Sequence, residues 1–111
     1  MKNYIVLFRE PDGRAIEHGA DEVARHRQNW KEWMEVWGAK GNLAGGSGLS
    51  LKGKVIRGQG KVSEGIHCVG TEIVGGFLLL KAESLEEAVE IAESCPIYEF
   101  DGYAEVREMQ G

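Results

Sequence analysis

The sequence predicts an α+β fold, a ferredoxin-like split β-α-β antiparallel sheet with two helices on one face. Three observations predict it. Four segments have the composition of strands, two have helical periodicity, and the helices join strands that cannot all be hairpin neighbours. With 111 residues and no repeat, linker or low-complexity segment, the chain predicts a single domain over residues 1–111.

The first half of the chain begins with a strand and a helix. NYIVLF (3–8) is rich in β-branched and aromatic residues, which is typical of a strand. A helix is expected over roughly 21–38, with Asp21 as its N-cap and Gly38 and Gly41 at its end. Its apolar stripe recurs at helical spacing and consists of Val23, His26, Trp30, Trp33, Met34 and Trp37.

The second half repeats the strand and helix after a glycine-rich middle. Residues 42–58 predict short strands broken by glycine, 61–72 are compatible with either a strand or a long loop, and 74–82 predict a strand. Ser84 and Glu87 form a capping box ahead of a helix whose apolar face is Leu85, Ala88, Val89 and Ala92. Pro96 ends that helix, 98–103 predict a turn around Asp101-Gly102, and 104–109 alternate as a closing strand.

Composition and charge exclude several functions. The net charge of -5 argues against partners such as nucleic acid or an anionic membrane, which favour a basic face. No apolar run approaches the ~20 residues that a bilayer span needs, and the N-terminus lacks the pattern of a signal peptide. We therefore expect a cytoplasmic protein whose two cysteines, Cys68 and Cys95, are reduced.

Two predicted strands are apolar on both faces. Every position of 5–8 and of 77–80 is hydrophobic, so both faces of the sheet require burial. Two helices cover only one face, and the simplest cover for the other is a second copy of the chain. We therefore expect a homodimer through the sheet faces; the alternative is a monomer that exposes a few hydrophobic side chains.

The chain resembles the YciI-like family, also called YCII-related or DGPF-domain proteins. The resemblance covers nearly the whole chain and lies in NYIVLF, HRQNWKEWM, GNLAGGSGLSLKGKV, VGGFLLLKAESLEEAVEIAESCP and GYAEVRE, in that order and spacing. It implies a ferredoxin-like subunit that pairs into a dimeric α/β barrel. It also implies a cleft with a histidine and an acidic partner, and hence acid–base chemistry on a small molecule.

Residue by residue, the resemblance places His26 at the family's first-helix histidine. Relatives of the YciI type have an aspartate just before the proline that ends the second helix, and here Cys95 stands there. The Asp-Gly-Pro-Phe motif of the other branch would fall on Glu64-Gly65-Ile66-His67, where only the glycine and the acidic character of the first position are kept.

These positions define the candidate catalytic residues. His26 is the candidate acid or base, because imidazole titrates near neutral pH and a neighbouring carboxylate would fix its tautomer. The alternative is a core or interface histidine with both nitrogens satisfied. The candidate carboxylates are Glu64 first and Asp101 second, with Glu72 also possible, and each has an ordinary interpretation as a turn or surface acid.

The candidate ligand contacts are Trp30, Cys95 and Gly76. Trp30 lies one turn after His26 and could form an apolar wall, although core packing is the commoner role of such a residue. Cys95 is more simply explained as a small buried hydrophobe, since a reactive thiol favours a helix N-terminus. Gly76 permits close backbone approach, for packing or for a ligand-facing gap.

Two functions remain open at this stage. The first is a small-molecule enzyme that uses His26 for lyase- or isomerase-like proton transfer in a helix–sheet cleft. The second is a non-catalytic dimeric module that binds a small ligand or a partner. No metal site is expected from the spacing of His18, His26 and His67, and no cofactor signature is present.

Overall fold

A computed structural model describes residues 1–111 and contains two helices and six strands. The elements are β1 (Lys2–Glu10), α1 (Ala20–Ala39), β2 (Leu43–Gly48), β3 (Lys54–Ile56), β4 (Val62–Glu64), β5 (Ile73–Ala82), α2 (Leu85–Glu93), a 3₁₀ helix (Pro96–Phe100) and β6 (Tyr103–Glu108). The main sheet has the order β2-β5-β1-β6 and is antiparallel throughout. The predicted ferredoxin-like α+β arrangement is therefore confirmed.

One face of this sheet forms the core with the two helices. Alternation along β1 turns Tyr4, Val6 and Phe8 inward, where they meet the inward side chains of β5, Leu78, Leu80 and Ala82. The helices contribute side chains that are likewise buried, namely Trp33, Ala88, Ile91 and Ala92. Neither helix combines the length and the apolar character needed to cross a bilayer.

The tryptophan at the centre of α1 ties the two helices together. Trp33 is buried, and its indole N–H donates a hydrogen bond of 2.8 Å to the hydroxyl of Ser94, directly after α2. That hydroxyl in turn donates to the carbonyl of Ile91 at 3.0 Å. A buried indole N–H needs a partner, and this one fixes the middle of α1 against the end of α2.

The other sheet face is only half-buried within the single chain. Ile5 lies opposite Leu79, and Leu7 lies opposite Phe77, with all four side chains on the face away from the helices. The remaining edge of that face comes from β6, which adds charged residues beside them: Glu105 opposite Leu7 and Arg107 opposite Ile5.

Residues 49–72 form an arm that leaves the sheet. Its strands β3 and β4 pair only with each other, and it exposes Leu51, Ile56, Val62 and Val69. The radius of gyration is 15.4 Å, whereas about 13 Å is typical of a chain of this length. The segment 61–72, for which strand and loop were both open, is a short strand followed by a loop.

The start of α1 differs from its prediction. The helix begins at Ala20 after Gly19, which provides no side-chain cap, so Asp21 is not the N-cap. Asp21 and Glu22 instead occupy the first helical turn, where negative charge interacts favourably with the helix dipole. The helix ends at Ala39, and Gly41 adopts a left-handed φ of 80° just beyond it.

The second helix has the predicted cap but a different buried stripe. The Ser84 hydroxyl accepts the Glu87 backbone N–H at 3.2 Å. The buried row consists of Ala88, Ile91, Ala92 and Cys95, at spacings of three and four residues, whereas Leu85 and Val89 are exposed. The helix is thus rotated relative to the predicted face, because this row continues directly into the buried Cys95-Pro96 corner.

We predict that Ser84→Ala lowers the free energy of unfolding by about 0.5–2 kcal/mol, because a first-turn N–H loses its acceptor. Urea denaturation measures the change. Ser63→Ala is the matched control, since the Ser63 hydroxyl makes only an exposed 3.4 Å contact with the Val55 carbonyl in the arm. Equal midpoints for the two variants would contradict the capping role.

Candidate functional site

A cleft of about 940 Å³ lies between the first four turns of α1 and the sheet. One helix face supplies its roof with residues at spacings of three and four, which are Val23, His26, Arg27, Trp30, Lys31 and Met34. The floor is formed by the end of β1 and the start of β5. Beyond Trp30, the buried Trp33 closes the space between helix and sheet.

Glycines on β5 keep the floor of the cleft open. A Cβ at Gly75 would overlap the Glu10 carboxylate, and a Cβ at Gly76 would approach the Ser47 carbonyl oxygen to 3.0 Å. Gly76 also lines the cleft. The two interpretations of Gly76 therefore coincide: its missing side chain permits close strand packing and leaves room beside the helix.

His26 forms hydrogen bonds through both ring nitrogens. The Trp30 indole N–H donates to His26 Nε2 at 3.0 Å, and His26 Nδ1 lies 2.8 Å from Glu99 Oε1. Because Nε2 accepts a hydrogen bond, the neutral ring carries its proton on Nδ1 and donates it to Glu99. The imidazole is 18% exposed, so it lies at the edge of the cleft.

The Glu99 carboxylate is itself held in place. Its second oxygen, Oε2, accepts a hydrogen bond of 2.8 Å from the Asn29 side-chain amide. Asn29, His26 and Trp30 come from adjacent turns of α1, and Glu99 comes from the 3₁₀ helix that Pro96 begins. The result is a continuous chain of side chains, Asn29–Glu99–His26–Trp30, that orients the imidazole.

Aromatic rings surround this chain. Phe100 stacks on His18, with centroids 3.8 Å apart and planes 7° apart, and its ring also contacts the His26 ring at 4.3 Å. On the other side, Phe8 meets the edge of Trp30 at 5.2 Å. His18 precedes α1 and was not a sequence candidate, because nothing in its surroundings predicts the stacking.

The acidic residues of the cleft have partners. Glu10 makes a bidentate pair with Arg14, with both distances 2.9 Å, and this pair raises the pKa of the Arg14 guanidinium. Backbone N–H groups, that of Ile16 foremost, lower the pKa of the Asp12 carboxyl. Arg27 and Lys31, by contrast, take part in no ion pair.

The sequence-predicted acids do not contact His26. Glu64 is in the arm, paired with Lys54 at 3.1 Å, and Asp101 is exposed with a left-handed φ of 61° after the 3₁₀ helix. Glu72 accepts the Tyr103 hydroxyl, which raises the pKa of that tyrosine. The carboxylate beside His26 is Glu99, two residues before Asp101, in a stretch that the sequence pattern predicted as a simple turn.

The predicted ligand contacts separate into two groups. Trp30 and Gly76 line the cleft, but Cys95 does not. Cys95 is buried beneath a shallow depression on the far side of α1, and burial raises the pKa of its thiol. Its environment fits the packing role. No group of three or more His, Cys, Asp or Glu side chains is arranged to hold a metal ion.

We predict that His26 is the Nδ1–H tautomer in the free protein near neutral pH. Ring ¹⁵N chemical shifts distinguish the two tautomers, and Trp30→Phe is the informative variant because it removes the donor to Nε2 while keeping an aromatic side chain. In Trp30→Phe the His26 Nε2 chemical shift should move toward that of a nitrogen that accepts no protein hydrogen bond. The Nδ1 proton, which is hydrogen-bonded to Glu99, should remain. An Nε2–H tautomer in the unaltered protein would contradict the geometry.

Known proteins resemble this chain in sequence and in fold. The family model of the YCII-related domain matches residues 4–110, and no curated protein matches the chain. The structure of 5-chloro-2-hydroxyhydroquinone dehydrochlorinase (TftG) from Burkholderia phenoliruptrix AC1100, in complex with 2,5-dihydroxybenzoquinone, is similar in fold. The TM-score is 0.53 at 14% identity, over 97% of this chain and 93% of that chain. Because the family match extends over essentially its whole length, the chain belongs to the YCII-related domain family.

Proposed function

We propose that this protein is a small-molecule enzyme in which His26 transfers a proton within the cleft. The observation that carries the proposal is the Asn29–Glu99–His26 chain beside an open cleft. A base held by a carboxylate, which is held in turn by a third group, is the arrangement that proton-transfer sites use. A histidine needed only for packing would have no requirement for an oriented carboxylate at the edge of a cavity.

The tautomer assigns the chemistry to one nitrogen. Glu99 retains the Nδ1 proton, so the lone pair on Nε2 is the basic site. In the free protein that lone pair accepts the Trp30 N–H. A substrate proton donor therefore replaces the Trp30 hydrogen bond, and the imidazolium that forms is stabilised by the Glu99 carboxylate.

The class of reaction we propose is lyase- or isomerase-like. Such a reaction removes a proton from carbon or from a hydroxyl and then either loses a leaving group or takes up a proton elsewhere. It requires one base beside the substrate. The dehydrochlorinase of similar fold bears the name of an elimination reaction. That likeness supports the fold, and it makes elimination a reasonable first reaction to assay.

A second candidate function is a non-catalytic ligand-binding module. One observation favours it: both ring nitrogens of His26 already have partners, as a structural histidine requires. In that case His26 would join α1 to the 3₁₀ helix, and the cleft would bind a ligand without transforming it.

We predict that His26→Gln lowers turnover by 100-fold or more, and that it also lowers the free energy of unfolding by about 1–3 kcal/mol, because Glu99 or Trp30 loses its hydrogen-bond partner. Chloride release from 5-chloro-2-hydroxyhydroquinone is the first assay, followed by other elimination and isomerisation substrates. His67→Gln, in the exposed part of the arm, is the matched control. Glu99→Gln should lower kcat more than it raises KM.

A purely structural role gives a different pattern in turnover. If His26 only joins two elements, His26→Gln should show the same loss of stability, while turnover measured well below the unfolding transition stays close to that of the unaltered protein. A loss of turnover smaller than about tenfold in His26→Gln would exclude the proposed base.

We also propose that two copies associate through the half-buried sheet face. Ile5, Leu7, Phe77 and Leu79 supply its apolar centre. The arm supports the proposal through its charge. The arm carries four Lys or Arg residues and two Asp or Glu residues. The rest of the chain carries nine Lys or Arg residues and sixteen Asp or Glu residues. The arm is therefore net +2 and the body net -7, which favours contact between the arm of one copy and the body of another.

We predict that Leu79→Glu converts a dimer into a monomer or unfolds it, since an unpaired charge in an interface costs several kcal/mol. Light scattering measures the mass of the assembly. Val36→Glu, on the exposed side of α1, is the control that should remain dimeric. A mass of 12.2 kDa for the unaltered protein across micromolar concentrations would exclude the dimer.

A further inference from the structure

We propose that the cleft selects a small, flat organic anion, an inference that rests on the proposed function of this site. The first step is the local charge. The chain as a whole has a net charge of -5. The charged residues that line the cleft show the reverse balance, with three cations, Arg14, Arg27 and Lys31, against two acids, Glu10 and Asp12.

The two acids do not oppose an incoming anion strongly. Glu10 is neutralised by the bidentate contact with Arg14, whose Nη2 also donates to the Gly75 carbonyl at 3.1 Å. Asp12 directs its oxygens to the backbone N–H groups of Arg14 and Ile16. The charge of Glu10 is therefore compensated, whereas Asp12 stays negative with its oxygens bound to backbone; Arg27 and Lys31 are the two cations of the lining that take part in no ion pair.

Arg27 and Lys31 are placed to act together. They are four residues apart on α1 and therefore lie on one side of the helix, one turn from each other. Arg27 directly follows His26 and Lys31 directly follows Trp30 in sequence, and all four residues line the same cleft. Glu99 does not line it, because that carboxylate lies on the Nδ1 side of the imidazole and is occupied by His26 and Asn29.

The shape of the ligand follows from the aromatic walls. Phe8, Trp30 and Phe100 line the cleft, and rings of this kind favour a planar apolar body through stacking and edge contacts. A cation pair beside such walls favours a carboxylate, enolate or phenolate attached to that body.

The test compares two probes of one shape and different charge. 2-Naphthoate and 2-naphthamide share a ring system, and the Trp30 indole N–H resonance reports occupancy of the cleft. We expect 2-naphthoate to bind at least tenfold more tightly than 2-naphthamide. Raising the salt concentration should weaken the binding of 2-naphthoate and leave the binding of 2-naphthamide unchanged. The double variant Arg27→Gln/Lys31→Gln should remove the preference while leaving 2-naphthamide binding unchanged.

Arg25→Gln is the matched control, because Arg25 is on α1 but does not line the cleft; it should retain the preference. Equal affinity for the two probes overturns the inference, as does a preference that survives in the double variant, or the absence of any change at Trp30 with either probe. Probe binding tests the selectivity for an anion, whereas turnover tests the role of His26. Either proposal can therefore fail without the other.

Discussion

The hydrogen bond between Trp33 and Ser94 is the contact on which the rest of the site depends. It fixes the middle of α1 over the sheet and at the same time fixes the point where α2 ends. From that point the chain needs only Pro96 and one 3₁₀ turn to bring Glu99 beside α1. Toward its N-terminus, α1 is separated from the glycine floor of β5, and the gap is the cleft. The indole of Trp33 is thus part of the core and also sets the position of the cleft.

The sequence predicted the α+β fold and two side chains of the candidate cleft. Alternation in β1, the apolar β5 and the Ser84 cap each encode their structure locally, and His26 and Trp30 follow from helical periodicity. Glu99 could not be found in this way, because its contact with His26 spans 73 residues and depends on the course of a short 3₁₀ helix. Asp101-Gly102 has the stronger local signal, and that signal describes a turn. Leu85 and Val89 were misplaced for a related reason: the rotation of a short helix is decided by its tertiary partners.

The segment after α2 brings an acid to His26 from a position that the sequence did not lead us to expect. The resemblance implies an aspartate before the proline, and here the buried thiol of Cys95 stands there. Glu99, four residues after Cys95 and in the 3₁₀ helix, places its carboxylate beside His26. The carboxylate beside His26 therefore lies four residues after the position at which the resemblance led us to expect an acid. It approaches from the 3₁₀ helix, and Cys95 is then free to complete the hydrophobic row of α2.

The absent side chain at Gly75 has a consequence for how the protein tolerates sequence change. The space of its missing Cβ is filled by the Glu10 carboxylate, which anchors Arg14 in its left-handed conformation with a φ of 67°. Arg14 lies in the connection that leads to His18, the ring that stacks on Phe100. A substitution at position 75 would therefore displace Glu10 and the paired Arg14. The displacement would extend through the connection to His18 and Phe100 at the far wall of the cleft. A side chain at position 75 would thus act on Arg14, 61 positions away in the sequence, and a loss of activity in such a variant would reflect the displaced wall and not a chemical role of Gly75.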